Sequence, residues 1–347
     1  MEIEEILKGI LIICSVMLFI LLCIYFYTIY RKNRKKHSFN KINNYIQQNE
    51  RDWYNYLVLN KPLRNHSTTK NELAAIDTIF VSYVTTMNKE EILERASTYA
   101  ALNMKNYYVE QLNSRDETVR LHVLQRTLIL ELEFLVPLIE RRLKDNRTGS
   151  IEEYLLMLKV AAKYNRNLFL AHMYKPRLTF YDSEYHLLLS NIENGYCDYF
   201  KDHFEELPIQ LKLAFLEFSC LNMNMNPSYL SLFEQLLTSE CPGIRLRALR
   251  AISSYGKISH VKHYEVFVHS ALWEERLLLA EILRFVKEDD SYTYLKMLMR
   301  DPNSHVRKQA ALSLMDLPDG QVILQQVSDS DSEEDHISPA TSVEESR

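Results

Sequence analysis

The sequence predicts an all-α protein in which an N-terminal transmembrane helix is followed by an α-solenoid, a stack of helix pairs. Apolar residues make up 47 % of the 347 positions, and they recur at helical spacing instead of alternating in short runs. One uncharged stretch is long enough to cross a bilayer, and an arginine-centred segment recurs every 31 residues. The 6 glycines are too dispersed to build a phosphate-binding loop, which disfavours nucleotide-binding folds.

The uncharged stretch runs for 22 residues, from Gly9 to Tyr30. A helix of this length spans about 33 Å, which matches the hydrocarbon core of a bilayer. Five basic residues follow within 31–36, and the positive-inside rule places that end in the cytoplasm. A cleaved signal peptide would begin with basic residues and end in small ones. We therefore expect a single-pass protein of the cell membrane, with residues 1–8 outside, the helix over 9–30 and the bulk of the chain in the cytoplasm.

Charge is unevenly distributed along the chain. The total is −5, of which 31–36 contribute +5 and 327–347 contribute −6. The body is nearly neutral, so a nucleic-acid partner is not expected. Residues 31–77 are basic and polar, which predicts a juxtamembrane linker with a short helix around Trp53. The acidic tail over 327–347 has few apolar residues and is predicted to be disordered.

The repeated segment is marked by Arg245, Arg276 and Arg307, which are 31 residues apart. Each arginine opens an amphipathic run, and each run follows a turn signal or charged break with another apolar-periodic helix before it. The unit is therefore helix, turn, helix. One helix pair cannot bury both of its apolar faces, so neighbouring pairs must stack. Arg120 lies 125 residues before Arg245, close to four periods, which indicates that the array continues upstream.

The segments DPNSHVRKQAALSLMDL (301–317) and CPGIRLRALRAISSYG (241–256) resemble HEAT repeats, whose pattern is an aliphatic helix, a D-P type turn and then V-R-x-x-A-x-x-x-L. The resemblance covers HEAT-like repeats over 228–326 and is weak over 78–227, a degenerate helical-repeat region. It implies a membrane-anchored protein of the HEAT-repeat, armadillo-like family. In that family the Asp of the turn and the Arg six positions later commonly bond between adjacent repeats. The resemblance thus implies a structural ladder of Arg245, Arg276, Arg307 and Asp301.

The sequence predicts no catalytic, cofactor-binding or metal-binding constellation. His260 and His263 lack an HExxH arrangement, and adjacent acids such as Glu205 and Glu206 point about 100° apart on a helix. The cysteines are scattered and form no CxxC, as is typical of a reducing compartment. An enzyme of lyase or glycosylase type built on HEAT-like repeats is the alternative, and it would need a titratable group in a deep pocket.

These observations favour a membrane-tethered cytoplasmic scaffold or adaptor whose partners are the lipid bilayer and a protein bound by the solenoid surface. The layout also resembles HEAT-repeat membrane proteins of Gram-positive bacteria that accompany a polysaccharide glycosyltransferase, which implies an accessory role beside such an enzyme. Recruitment through the acidic tail is a further hypothesis. The residues predicted to contact the partner are exposed positions on the second helices: Arg247, Arg250, Arg284 and Lys308.

Overall fold

In a computed structural model, the described residues are 2–63, 69–145, 149–190, 192, 194–222 and 227–325. They form helices and turns, and this part of the chain contains no strand. The all-α prediction is confirmed. The predicted acidic tail, 327–347, lies outside the described residues.

The described part of the chain contains seventeen named α-helices, and short 3-10 turns cover Glu133–Leu135, Phe204–Glu206 and Val261–Tyr264. The helices are α1 (Glu2–Leu57), α2 (Lys70–Met87), α3 (Glu90–Asn103), α4 (Lys105–Leu112), α5 (Glu117–Ile129), α6 (Val136–Lys144), α7 (Ile151–Tyr164), α8 (Arg166–Tyr174), α9 (Asp182–Leu189), α10 (Asn194–Asp202), α11 (Ile209–Asn222), α12 (Pro227–Leu236), α13 (Pro242–Tyr255), α14 (Glu265–Val268), α15 (Trp273–Leu283), α16 (Asp289–Leu298) and α17 (Ser304–Met315).

The helices form two compact units, Met1–Asn165 (unit 1) and Arg166–Arg347 (unit 2). In unit 1, α2, α5 and α7 pack side by side, while α4 packs on α5 and α6 on α7. In unit 2, α9, α11, α13, α15 and α17 pack in succession, while α12 covers α13 and α16 covers α17. Each unit is therefore a solenoid-like stack of helix pairs.

Side-chain caps define where several of these helices begin. Thr69 and Glu72 form a capping box at α2, while Asp116, Ser150 and Asn303 accept backbone N–H groups at the starts of α5, α7 and α17. These side chains satisfy N–H groups that have no partner inside the helix.

Much of the segment predicted as a juxtamembrane linker is helical. Helix α1 continues without interruption through the basic cluster to Leu57. Its contact with the rest of unit 1 begins at Ser38, whose hydroxyl donates to Asn71 Oδ1 over 2.7 Å. Beyond that point Ile42, Trp53 and other buried or half-buried side chains recur every three or four residues and pack on α2 and α3. The segment is therefore an amphipathic helix, although its composition is polar.

Candidate functional site

The same turn precedes four of the second helices and explains the recurrence of arginine. At its first position a side chain accepts the backbone N–H two residues later, over 2.8–3.3 Å. Six residues on, an arginine Nη1 donates to the backbone carbonyl of that first position over 2.6–3.0 Å. The pairs are Ser114 with Arg120, Ser239 with Arg245, Ser270 with Arg276, and Asp301 with Arg307.

Three of these arginines also bind a carboxylate of the following helix pair. Arg120 donates through Nε and Nη2 to the two oxygens of Glu153, over 2.8 and 2.7 Å. Arg245 Nε donates to Glu275 Oε1 over 2.8 Å. The contact of the third arginine joins two residues of the predicted ladder, since Arg276 Nη2 donates to Asp301 Oδ1 over 3.0 Å.

The contact between Arg276 and Asp301 joins adjacent helix pairs, which is the kind of contact that the resemblance implies. Arg307 donates to the backbone oxygen of Asp301, so the carboxylate of Asp301 remains available for Arg276 of the preceding pair. Within a turn the arginine therefore donates to a backbone oxygen, and between pairs it donates to a carboxylate. A serine can replace the aspartate at the first position because only its backbone oxygen and a short acceptor side chain are needed there.

The carboxylates of the ladder are removed from solvent. Glu153, Glu275 and Asp301 are all buried. Burial alone would raise the pKa of Glu153, but its hydrogen bonds from Arg120 and the charges of Arg120 and Arg142 hold that pKa below its usual value. Hydrogen bonding to Glu153 likewise raises the pKa of Arg120. These groups hold neighbouring helix pairs together.

The residues predicted to contact a partner lie on or beside three helices of unit 2, with Arg247 and Arg250 on α13, Arg284 directly after α15 and Lys308 on α17. Arg250 Nη1 lies 3.2 Å from both carboxylate oxygens of Glu217, and Arg247 lies 3.6 Å from the same carboxylate and 3.6 Å from Asp182. These arginines cross-link helices of unit 2. Arg284 stacks over the ring of Phe285, with its guanidinium carbon 4.4 Å from the ring centroid. Lys308 is exposed on α17.

Burial shifts the pKa values of two cysteines and one histidine in unit 2. Burial raises the pKa of Cys197 to about 11 and that of Cys220 to about 12, so neither thiol ionises readily near neutral pH. Burial and the charge of Arg177 lower the pKa of His172, which favours its neutral form. No group of three or more His, Cys, Asp or Glu side chains among the described residues could hold a metal ion.

A groove in unit 1, which the sequence did not reveal, has a cavity volume of about 630 Å³. One wall is the exposed stripe of α3 opposite its buried face, and the other is the connection between α5 and α6. The hydroxyl of Ser97 joins the walls by donating to the carbonyl of Glu131 over 3.2 Å. The residues that line this unit 1 groove are Glu90, Leu93, Glu94, Ser97, Thr98, Ala101, Leu102, Glu131, Glu133 and Phe134.

The unit 1 groove combines carboxylates with exposed apolar side chains. Four of its ten lining residues are glutamates, and Leu102 is 78 % exposed. Leu93 and Leu102 are leucines of α3 that fall outside its buried face. Their position on the helix is a sequence signal for this surface. The second wall is about 30 residues further along the chain, so the sequence did not show that the two segments meet.

Glu131 has a left-handed backbone conformation, with φ of 51° directly after the last turn of α5. This conformation costs a residue with a Cβ about 1–2 kcal/mol, and glycine adopts it freely. We expect Glu131→Gly to keep or raise the stability of unit 1 by up to about 1 kcal/mol, because the lost ion pair with exposed Lys163 contributes less than the strain. Urea unfolding measures the change. Glu133→Gly is the matched control, with an expected loss of about 0.5–1 kcal/mol, and an equal loss in both variants would contradict the expectation.

The comparisons with known proteins identify no family for this chain. No known protein family matches it, and no curated protein matches it. Among solved structures it is similar to the crystal structure of an engineered protein, with 13 % identity and a TM-score of 0.31 over 71 % of this chain and 73 % of that one. Membership of the HEAT-repeat family therefore stays a prediction from the repeated turns.

Proposed function

We propose that this protein is a membrane-anchored scaffold that holds its helical stacks at the cytoplasmic face of the membrane and binds a protein partner there. One observation carries the proposal: α1 combines an exposed apolar stretch and a face packed on unit 1 in a single uninterrupted helix.

The apolar part of α1 has no partner in the described part of the chain. Met17, Leu18 and Phe19 are each more than 60 % exposed, and an 18-residue apolar window within 16–57 has a mean hydropathy of 1.3 with none of it buried. Contiguous exposed apolar surface of this kind is unfavourable in water and typical of an interaction with lipid or protein. The tyrosines at 25, 27 and 30 and the basic residues that follow favour a bilayer and set the orientation.

The helical connection makes the anchor stiff. Ser38, where packing on the rest of unit 1 begins, lies only eight positions after Tyr30 at the end of the apolar stretch. This distance is about 12 Å along a helix. A scaffold joined in this way has a defined orientation at the membrane surface as well as a raised local concentration. An accessory role beside a membrane glycosyltransferase remains a hypothesis about the partner.

We expect the double substitution Leu18→Arg and Leu22→Arg to remove the protein from the membrane fraction. Each arginine near the centre of a spanning helix costs about 2.5–3.5 kcal/mol, so the pair disfavours insertion by more than a thousandfold. Carbonate-washed membranes from cells that produce the full-length protein provide the measurement.

Phe39→Arg is the matched control, because Phe39 is also exposed on α1 but follows the basic cluster. It should stay in the membrane fraction. Retention of the double variant in washed membranes would refute the anchor. Protease added outside intact cells should leave residues 38–347 uncut, and cleavage there would refute the cytoplasmic orientation.

A further inference from the structure

We propose that the unit 1 groove binds a basic amphipathic segment of a partner protein, with about three helical turns in contact. The inference deepens the proposed scaffold function by naming a binding surface and the chemistry of its partner. It depends on the side chains of the unit 1 groove and not on the membrane anchor.

The exposed stripe of α3 sets the length of the bound segment. It runs from Glu90 to Leu102, which corresponds to about 18 Å or three helical turns. The opposite face of the same helix is closed, since Ile92, Ala96 and Ala100 are buried in unit 1. The stripe is therefore a surface that the fold of unit 1 does not use.

Apolar side chains lie at both ends of the stripe and on the second wall. Leu93 lies near one end of the stripe and Leu102 near the other, and Phe134 lies on the second wall. Leu102 is among the most exposed large apolar side chains in the described part of the chain. An amphipathic helix presents apolar side chains three and four positions apart, which fits contacts distributed over this length.

The glutamates of the unit 1 groove indicate the charge of its partner. Glu94 and Glu133 are exposed on opposite walls, and no ion pair within the described residues engages either of them. Glu90 and Glu91 are also favoured by the helix dipole at the start of α3, but Glu94 lies beyond the first turn and has no such explanation. Carboxylates on both walls attract lysine and arginine and repel phosphate groups. The groove therefore disfavours anionic lipid and nucleic acid and favours a cationic peptide.

The test uses the full-length protein in detergent micelles and two labelled peptides of about three helical turns. Leucines form one face of both peptides, while the other face carries lysines in the first peptide and glutamates in the second. Fluorescence anisotropy should show saturable binding of the lysine peptide that weakens as salt rises, and no binding of the glutamate peptide. Equal affinity for the two peptides, or no binding of the lysine peptide, would overturn the proposal.

Matched variants locate the bound peptide. Glu94→Lys should weaken binding of the lysine peptide about tenfold, and Glu94→Lys combined with Glu133→Lys more than that. Glu91→Lys is the control, because Glu91 is exposed on the same helix but does not line the groove. Leu102→Ser should also weaken binding without affecting the fold, since its side chain is mostly in solvent. Equal effects of the Glu91 and Glu94 variants would overturn the assignment to this groove.

The experiment separates this inference from the scaffold proposal. Membrane retention of the protein is measured independently of the peptides. If the protein stays in washed membranes but does not bind the lysine peptide, the groove assignment is overturned and the membrane anchor is not. Self-association of the full-length protein that the lysine peptide abolishes would identify a second copy as the occupant and would also overturn the proposal.

Discussion

Replacing Arg120 by methionine is expected to lower the free energy of unfolding of unit 1 by about 3–5 kcal/mol. Arg120 binds both oxygens of Glu153, whose side chain is fully buried. After the substitution Arg142, at 3.3 Å, is the remaining arginine that pairs with this carboxylate. A buried carboxylate that loses a bidentate partner keeps the cost of its desolvation without the compensating interaction. The substitution also removes the hydrogen bond that the carbonyl of Ser114 accepts in the turn before α5.

Hydrogen exchange of the full-length protein measures this effect locally. Amides of α5 and α7, which pack on each other in unit 1, should lose protection by about two to nearly four orders of magnitude, the equivalent of about 3–5 kcal/mol. Arg115→Met is the control, since Arg115 is exposed on the same turn and should change protection by less than tenfold. Similar exchange in both variants would show that the ladder contributes little to stability.

Replacing Trp53 by alanine is expected to lower the free energy of unfolding of unit 1 by about 3–5 kcal/mol and to release α1 from α2 and α3. The indole is fully buried and meets the rings of Phe80 and Tyr99 edge to face, with centroids 5.3 and 5.1 Å away. Such contacts add to the large apolar area that the side chain buries. The loss falls on the interface of α1 with α2 and α3, because the rings of Trp53 belong to that contact.

Limited proteolysis of the protein in liposomes distinguishes undocking from loss of the anchor. The Trp53→Ala variant should gain cleavage sites within 38–57 while it stays in the membrane fraction. Tyr54→Ala is the control, because Tyr54 is 39 % exposed and lies 6.5 Å from the ring of Tyr83. It should remain as resistant as the unmodified protein. An unchanged cleavage pattern in both variants would mean that other contacts suffice to dock α1.

The parts of the fold that the sequence predicted are those with a strict spacing. Arg245, Arg276 and Arg307 occupy the same position of the same turn because each must reach a carbonyl six residues back. The carboxylate partners of Arg120, Arg245 and Arg276 follow no constant spacing, with separations of 33, 30 and 25 residues. Glu275 lies one residue before the next ladder arginine, whereas Asp301 lies six residues before it. The sequence therefore predicted the arginines and Asp301 but not Glu153 and Glu275.

Two features escaped sequence reasoning for different physical reasons. The segment after the basic cluster was interpreted as a linker with a short helix around Trp53 because it is polar and has asparagine-rich pieces, although Ile42, Ile46 and Trp53 mark one face of a longer helix. The unit 1 groove escaped because its walls come from α3 and from residues near Glu131, which only tertiary packing brings together. Local patterns reveal which face of a helix is apolar, but not which distant segment lies opposite the other face.

The uninterrupted course of α1 has a mechanical consequence for an anchored protein. Spanning helices tilt by about 20° on average, and they tilt more when the bilayer is thin relative to their apolar length. A rigid rod from Tyr30 to Leu57 is about 40 Å long, so a tilt of about 20° shifts its far end sideways by about 14 Å. Because unit 1 is packed along this rod, the shift carries unit 1 with it. Bilayer thickness would then set how far the unit 1 groove reaches across the membrane surface, and α1 would act as a lever arm.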